Sequence, residues 1–275
     1  MKNAPNSKAN LDKAIQRFAG NIVKANELRN LMANAIVAQM LGKGVVKGGS
    51  GLKFRYGAEM TRVTLDLDTA WTVGLEDFLD DLNPKLQIGW NGFAGSIKIL
   101  RPASPQGIPF DYVMQPCEVK LSYLGRPWYT VQLEIGHNEI GDADAFDCVP
   151  PPKVLCELFD FLVMDPPCSI PAMRLEYQVA QKLHGVSAPR SKRAHDLIDL
   201  QLIMANDPVD LSVTANLCAK LFNYRKVHTW PPVVEKGDGW DRVYEEQKGS
   251  LPVLKTVDEA ILWVNGLIEK IKTAQ

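Results

Sequence analysis

The chain has 275 residues, 46% hydrophobic and 23% charged, enough to bury a large core and too apolar for wholesale disorder. No apolar run reaches the roughly 18–20 residues that span a bilayer, MKNAPNSKAN lacks the apolar core of a signal peptide, and five cysteines form no C-x-x-C pair, so a reduced, cytoplasmic protein with no membrane segment is expected. The net charge is −1, yet residues 1–55 carry ten Lys or Arg against only Asp12 and Glu27, which makes that segment either a candidate polyanion surface or a solvated helix face.

From Asn10 to Met40 apolar residues recur at helical spacing (Ile15, Phe18, Ile22, then Leu28, Leu31, Met32, Ala35, Ile36, Met40). This predicts one or two amphipathic helices whose polar faces carry the basic excess, ended by Gly42 and Gly44. VVKGGSGLKF reads as a short strand breaking into glycines. Residues 62–68, RVTLDLD, alternate strictly and predict a strand, with Val63, Leu65 and Leu67 on one face and Arg62, Thr64, Asp66 and Asp68 on the other. LEDFLDDL suggests a helix in 74–82, KLQIGWNGF and GSIKILR two strands, and EVKLSYLGRPWYTVQLEI a hairpin turning at Leu124-Gly125-Arg126-Pro127. GDADAFDCVPPP looks like a connector, followed by helices over 153–163, 172–184, 192–205, 211–222 and 257–272. The expected class is α+β in two lobes: residues 1–150 with a mixed sheet and the N-terminal helices, and a helical 151–275.

Three groups of residues carry chemistry. Asp66-Leu67-Asp68, at i and i+2 on a strand, aims two carboxylates from one face. Two such acids repel unless a cation neutralises them, and Mg²⁺ or Mn²⁺ takes oxygen ligands while leaving positions for phosphate oxygens. A solitary D-x-D is more often a solvated strand face. Lys47-Gly48-Gly49-Ser50-Gly51 places glycines where backbone N–H groups approach phosphates, with a serine hydroxyl as a further donor; a plain turn is the alternative, and the spacing is not that of a Walker A loop. Further on, LEYQVAQKLH holds Lys182, and RAHDLIDL holds Asp196 and Asp199 at i and i+3. Basic and acidic groups on two neighbouring helices suit either a triphosphate clamp or a structural ion pair. Four scattered histidines (His137, His184, His195, His228) argue against zinc.

A Gly-Gly-Ser loop followed, after fifteen residues, by D-x-D resembles nucleotidyltransferases of the DNA polymerase β type. With VVKGGSGLKFRYG, R-x-T-x-D-x-D, YQVAQKLH and RAHDLIDL in order from Val45 to Leu200, the chain resembles the AbiEii/AbiGii nucleotidyltransferase toxins, to which the mycobacterial MenT toxins are similar. The resemblance implies a polymerase β-like lobe and a helical C-terminal lobe. It implies transfer of a nucleoside monophosphate from an NTP, with Mg²⁺, to an RNA acceptor. That acceptor is the tRNA 3′ end in characterised members, so that charging and translation stop. A cognate antitoxin from a neighbouring gene, and a place in toxin–antitoxin or abortive-infection systems, follow from the same likeness. By residue, Asp66 and Asp68 match the metal-binding pair, with Glu134 in VQLEI as third carboxylate and Glu118 its rival. Lys47, Gly49, Ser50, Arg62 and Lys182 are assigned to the nucleotide, and Lys182 and Asp196 join the aspartate pair as catalytic residues. Gln181 stands where the family usually has Glu, and His195 precedes Asp196 where Lys or Arg is often found. Other readings are the same chemistry on a protein or small-molecule acceptor, and a non-catalytic nucleotide-binding protein.

Overall fold

The computed structural model describes residues 3–103 and 113–274. The chain forms two compact units: one of Met1–Ala58, Thr64–Asn138 and Phe146–Ala172, the other of Glu59–Val63, Glu139–Ala145 and Met173–Gln275. This differs from a single boundary at 150, because residues 153–172 pack in the first unit while two short segments from the N-terminal half belong to the second.

The first unit opens on α1 (Lys8–Ala19) and α2 (Ile22–Met40). Ser7 and Asn21 cap them by accepting the N–H of Asn10 and Lys24, and left-handed Gly20 closes α1. Contrary to the amphipathic reading, α2 is buried on most of its surface, including Ala33, Ala35, Val37 and Ala38; it is a core helix.

Seven strands form one mixed sheet: β1 (Gly44–Val46), β2 (Leu67–Trp71), β3 (Phe93–Ile99), β4 (Gln115–Tyr123), β5 (Arg126–Gly136), β6 (Phe146–Val149) and β7 (Ile170–Met173), in the order β3-β4-β5-β2-β1-β7-β6. β2 runs parallel to β5 and antiparallel to β1, and β1 pairs in parallel with β7. The predicted hairpin is β4–β5, with the two-residue turn Leu124-Gly125 in left-handed conformation (φ 48° and 76°), as a right-twisted ribbon requires. Cys117, Val119, Leu121, Val131, Leu133 and Ile135 line the covered sheet face and join α1, α2, α4 (Leu75–Ile88) and α5 (Lys153–Phe161) in one core; Lys120, Thr130 and Gln132, on the other face, are exposed.

Further local expectations change. The stretch GDADAFDCVPPP, read as a connector, holds β6, and the helix expected over 172–184 starts only at Leu175, after β7. KLQIG is not a strand: α4 continues through Pro84 to Ile88, because Phe78, Leu82 and Leu86 form one buried stripe at i, i+4, i+8 that continues past the proline. The strand predicted over 62–68 begins only at Leu67, and Val63 and Leu65 are exposed. The carbonyls before Asp66 bond to side chains instead of a neighbouring strand: Lys53 Nζ donates to that of Thr64, and Asn30 Nδ2 to that of Leu65 at 2.9 Å.

The second unit is a helical assembly of α6 (Leu175–Ser187), α7 (His195–Asn206), α8 (Leu211–Arg225), α9 (Trp240–Lys248) and α10 (Val257–Thr273). α6 and α8 pack together, and α10 lies against α7, α8 and α9. α9 escapes periodicity because only Trp240 and Tyr244 of its nine residues are buried. Among the described residues no helix is long and apolar enough to cross a membrane.

Candidate active site

In the first unit β1 runs directly into α3 (Gly48–Tyr56), so the glycine loop is the start of a helix with Lys47 at its N-cap. The first intrahelical bond is from Gly51 N–H to the Lys47 carbonyl, at 2.9 Å. The N–H groups of Gly48, Gly49 and Ser50 therefore have no partner inside the helix and lie at the positive end of its dipole, an arrangement that takes an anion.

Asp68 sits against that helix end. A Cβ on Gly48, whose φ is +61°, would stand 2.2 Å from Asp68 Oδ2, so both the left-handed backbone and the carboxylate require glycine. The backbone of Asp68 is stitched to the same turn on both sides: its N–H donates to Ser50 Oγ at 3.0 Å, and its carbonyl accepts Lys47 N–H at 2.9 Å. Ser50 Oγ also donates to the Lys47 carbonyl at 3.0 Å. The hydroxyl expected to face a phosphate is instead a strap between α3 and β2, and the phosphate donors left are backbone N–H groups.

Asp68 and Glu134 are direct partners across the parallel β2–β5 pair and share a sheet face. Glu118 lies on β4 opposite Gln132, one strand further from β2, which favours Glu134 as the companion of Asp68. Lys47 completes the group: a Cβ on Gly136, two residues beyond Glu134, would meet Lys47 Nζ at 2.4 Å. Asp66 lies outside β2, exposed, just before the first ladder pair, so the D-x-D does not present both acids from one strand as expected.

Arg62, Lys182 and Asp196 belong to the second unit, where they form a buried ionic network with Asp199 and Arg193. Lys182 Nζ lies 2.6 Å from Asp199 Oδ2 and 3.3 Å from Asp196 Oδ1. Arg62 Nε holds Asp199 at 3.0 Å, and Arg193 Nε holds Asp196 at 2.5 Å. Burial opposes ionisation of both aspartates, but Arg193 and Lys182 beside Asp196, and Lys182 and Arg62 beside Asp199, outweigh it and keep both carboxyls below their ordinary values. Burial, partly opposed by Asp196, pushes His195 down to about 4. Gln181, in the position of the family's Glu, donates to Asp142 at 2.5 Å.

The i,i+3 spacing already pointed to Asp199 as a companion of Asp196. Asn30 and Lys53 carried no such signal, nor did the approach of Asp68 to Gly48, since these partners are 35, 11 and 20 residues apart in the chain. Among the described residues, no three His, Cys, Asp or Glu side chains converge as a ready metal cage. Magnesium does not need one: it binds through one or two carboxylates and completes its shell with water and phosphate oxygens. Asp68 beside Glu134, with Asp66 nearby in the chain, fits that demand.

The family model described as nucleotidyl transferase AbiEii toxin, type IV toxin–antitoxin system, matches residues 28–260. Among solved structures the chain is similar to MenT4, a nucleotidyltransferase toxin from Mycobacterium tuberculosis H37Rv, at 14% identity over 96% of this chain and 97% of that one, with a TM-score of 0.55. It is also similar to JHP933 from Helicobacter pylori, at 16% identity over 90% and 91%, with a TM-score of 0.45. No curated protein matches by sequence. The family match takes in the glycine turn, Asp66, Asp68 and Glu134 of the first unit and the ionic network of the second, and the chain belongs to the AbiEii family of nucleotidyltransferase toxins.

Proposed function

We propose that this nucleotidyltransferase moves a nucleoside monophosphate from an NTP to a terminal ribose hydroxyl of RNA, with the tRNA 3′ end as acceptor. Blocking that end prevents aminoacylation and stops translation. The observation that carries the reading is the meeting, in one unit, of the α3 N-terminus, the Lys47 ammonium and the in-register pair Asp68 and Glu134. The hydroxyl oxygen bonds to the α-phosphorus as its proton passes to a carboxylate of the Asp68–Glu134 pair and on to water, the bond from the α-phosphorus to the oxygen bridging it to the β-phosphorus breaks, and pyrophosphate leaves. The N–H groups of Gly48, Gly49 and Ser50 hold the phosphate tail, and Lys47 offsets its charge. A divalent cation would be held by Asp66 and Asp68 with Glu134, and when bound it neutralises charge on the phosphate oxygens. Rate then comes from in-line positioning and fixed electrostatics. Lys182, Arg62 and Asp196 serve through the ionic network, in which Lys182 and Arg62 are the basic groups assigned to the nucleotide. A cognate antitoxin restrains the enzyme in the cell.

The test is label transfer from α-labelled NTP to purified tRNA. Asp68→Ala and Asp66→Ala should each lower transfer by at least about 100-fold while the circular dichroism spectrum is kept. Full activity in Asp68→Ala overturns the reading. Label from cell extract that survives RNase but not protease assigns the acceptor to protein instead.

A further inference from the structure

We propose that Asn30 of α2, with Lys53 of α3, is a positioning residue that aims Asp66. The inference rests on the role given to Asp66 above and goes beyond it, since neither residue touches a nucleotide in that reading. The two aspartates of D-x-D are held by different means. Asp68 is inside β2, and the ladder and Ser50 grip its backbone. Asp66 precedes the ladder, so no strand partner sets its direction. What fixes the chain there is a pair of side-chain donors on the two carbonyls immediately before it: Lys53 Nζ on Thr64 and Asn30 Nδ2 on Leu65 at 2.9 Å.

Both donors are costly where they stand. Asn30 is 4% exposed in the middle of a core helix, and Lys53 is 8% exposed. A buried amide or ammonium costs free energy unless its hydrogen bonds are made, and asparagine is a poor interior helix residue. Leucine at position 30 would serve α2 better as packing. Beyond the Leu65 carbonyl, the Asn30 amide reaches only the Tyr129 hydroxyl among its described partners, at 3.4 Å, and its Oδ1 is buried with no hydrogen-bond partner among the described residues. The side chain is thus spent on the backbone of residue 65. Asn34, one turn further along α2 and equally buried, makes no described bond to residues 64–66 and provides the comparison.

The experiment compares full-length Asn30→Ala, Asn34→Ala, Lys53→Met, Lys53→Arg and Asp66→Ala. Three readouts are taken: kcat and KM for NTP, Mn²⁺ binding without nucleotide by electron paramagnetic resonance, and the urea midpoint. Asn30→Ala and Lys53→Met should lower kcat about 10- to 100-fold, with KM within about threefold, and weaken Mn²⁺ binding about tenfold. Lys53→Arg, which keeps the donor, should recover most of what Lys53→Met loses. Asn34→Ala should share the drop in urea midpoint and keep kcat and Mn²⁺ binding. Wild-type kcat and Mn²⁺ binding in Asn30→Ala overturn the proposal, as does an equal loss in Asn34→Ala, which would make the effect one of packing. If Asp66→Ala itself keeps full activity, the role of Asp66 has failed, and the proposal falls with it for that separate reason.

Discussion

Asp68 and Asp196 show how one residue type is used in two ways. Asp68 is half-buried at a helix N-terminus, beside a glycine that leaves room for its carboxylate. Asp196 is fully buried and held ionised by Arg193 and Lys182. The second arrangement stabilises only while its carboxylates stay ionised, and histidines in the same unit add a pH dependence of their own. Burial first, then Arg225, holds His184 down to about 3, and His195 stands at about 4. An unfolded histidine titrates near 6.5, so between about pH 6.5 and 4 the unfolded chain binds protons that the folded chain refuses. Stability should therefore fall across that window. The aspartates' contribution is present above the unfolded carboxylate value, near 4, and is lost only below it. Urea midpoints at pH 7, 5.5 and 4.5 should decrease in that order, and His184→Phe should flatten the trend.

At the level of elements, the site is made by one junction, where a three-residue strand ends and a nine-residue helix begins. The glycines read as a turn that could take a phosphate, but not as the first turn of a helix, because GGSG has poor intrinsic helix propensity. Ser50 resolves the conflict by bonding the Lys47 carbonyl and the Asp68 amide at once. Gly48→Ala tests the junction. Its Cβ would displace the Asp68 carboxylate and strain a backbone at φ +61°. NTP-dependent transfer should fall by about 100-fold or more, while thermal unfolding shows a loss of about 1–3 kcal/mol.

For the whole molecule, the near-neutral total hides a basic N-terminal segment. Lys13 and Arg17 lie exposed on α1, whereas Arg29 is tied to Asp12 at 3.2 Å. If RNA is the acceptor, affinity should fall steeply with salt, and Lys13→Glu with Arg17→Glu should reduce the slope of log affinity against log salt by about 2, read by filter binding from 50 to 200 mM salt. The sequence by itself determined the hairpin and the helices of the C-terminal half, because these rest on alternation and 3.6-residue spacing that neighbours in the chain carry. Tertiary structure alone decided that α4 runs through Pro84, that β2 starts at Leu67, that Asp68 pairs with Glu134 and that Lys182 joins Asp196 and Asp199. Each of these depends on which distant groups satisfy a buried surface, carbonyl or charge, and local periodicity does not encode such partners.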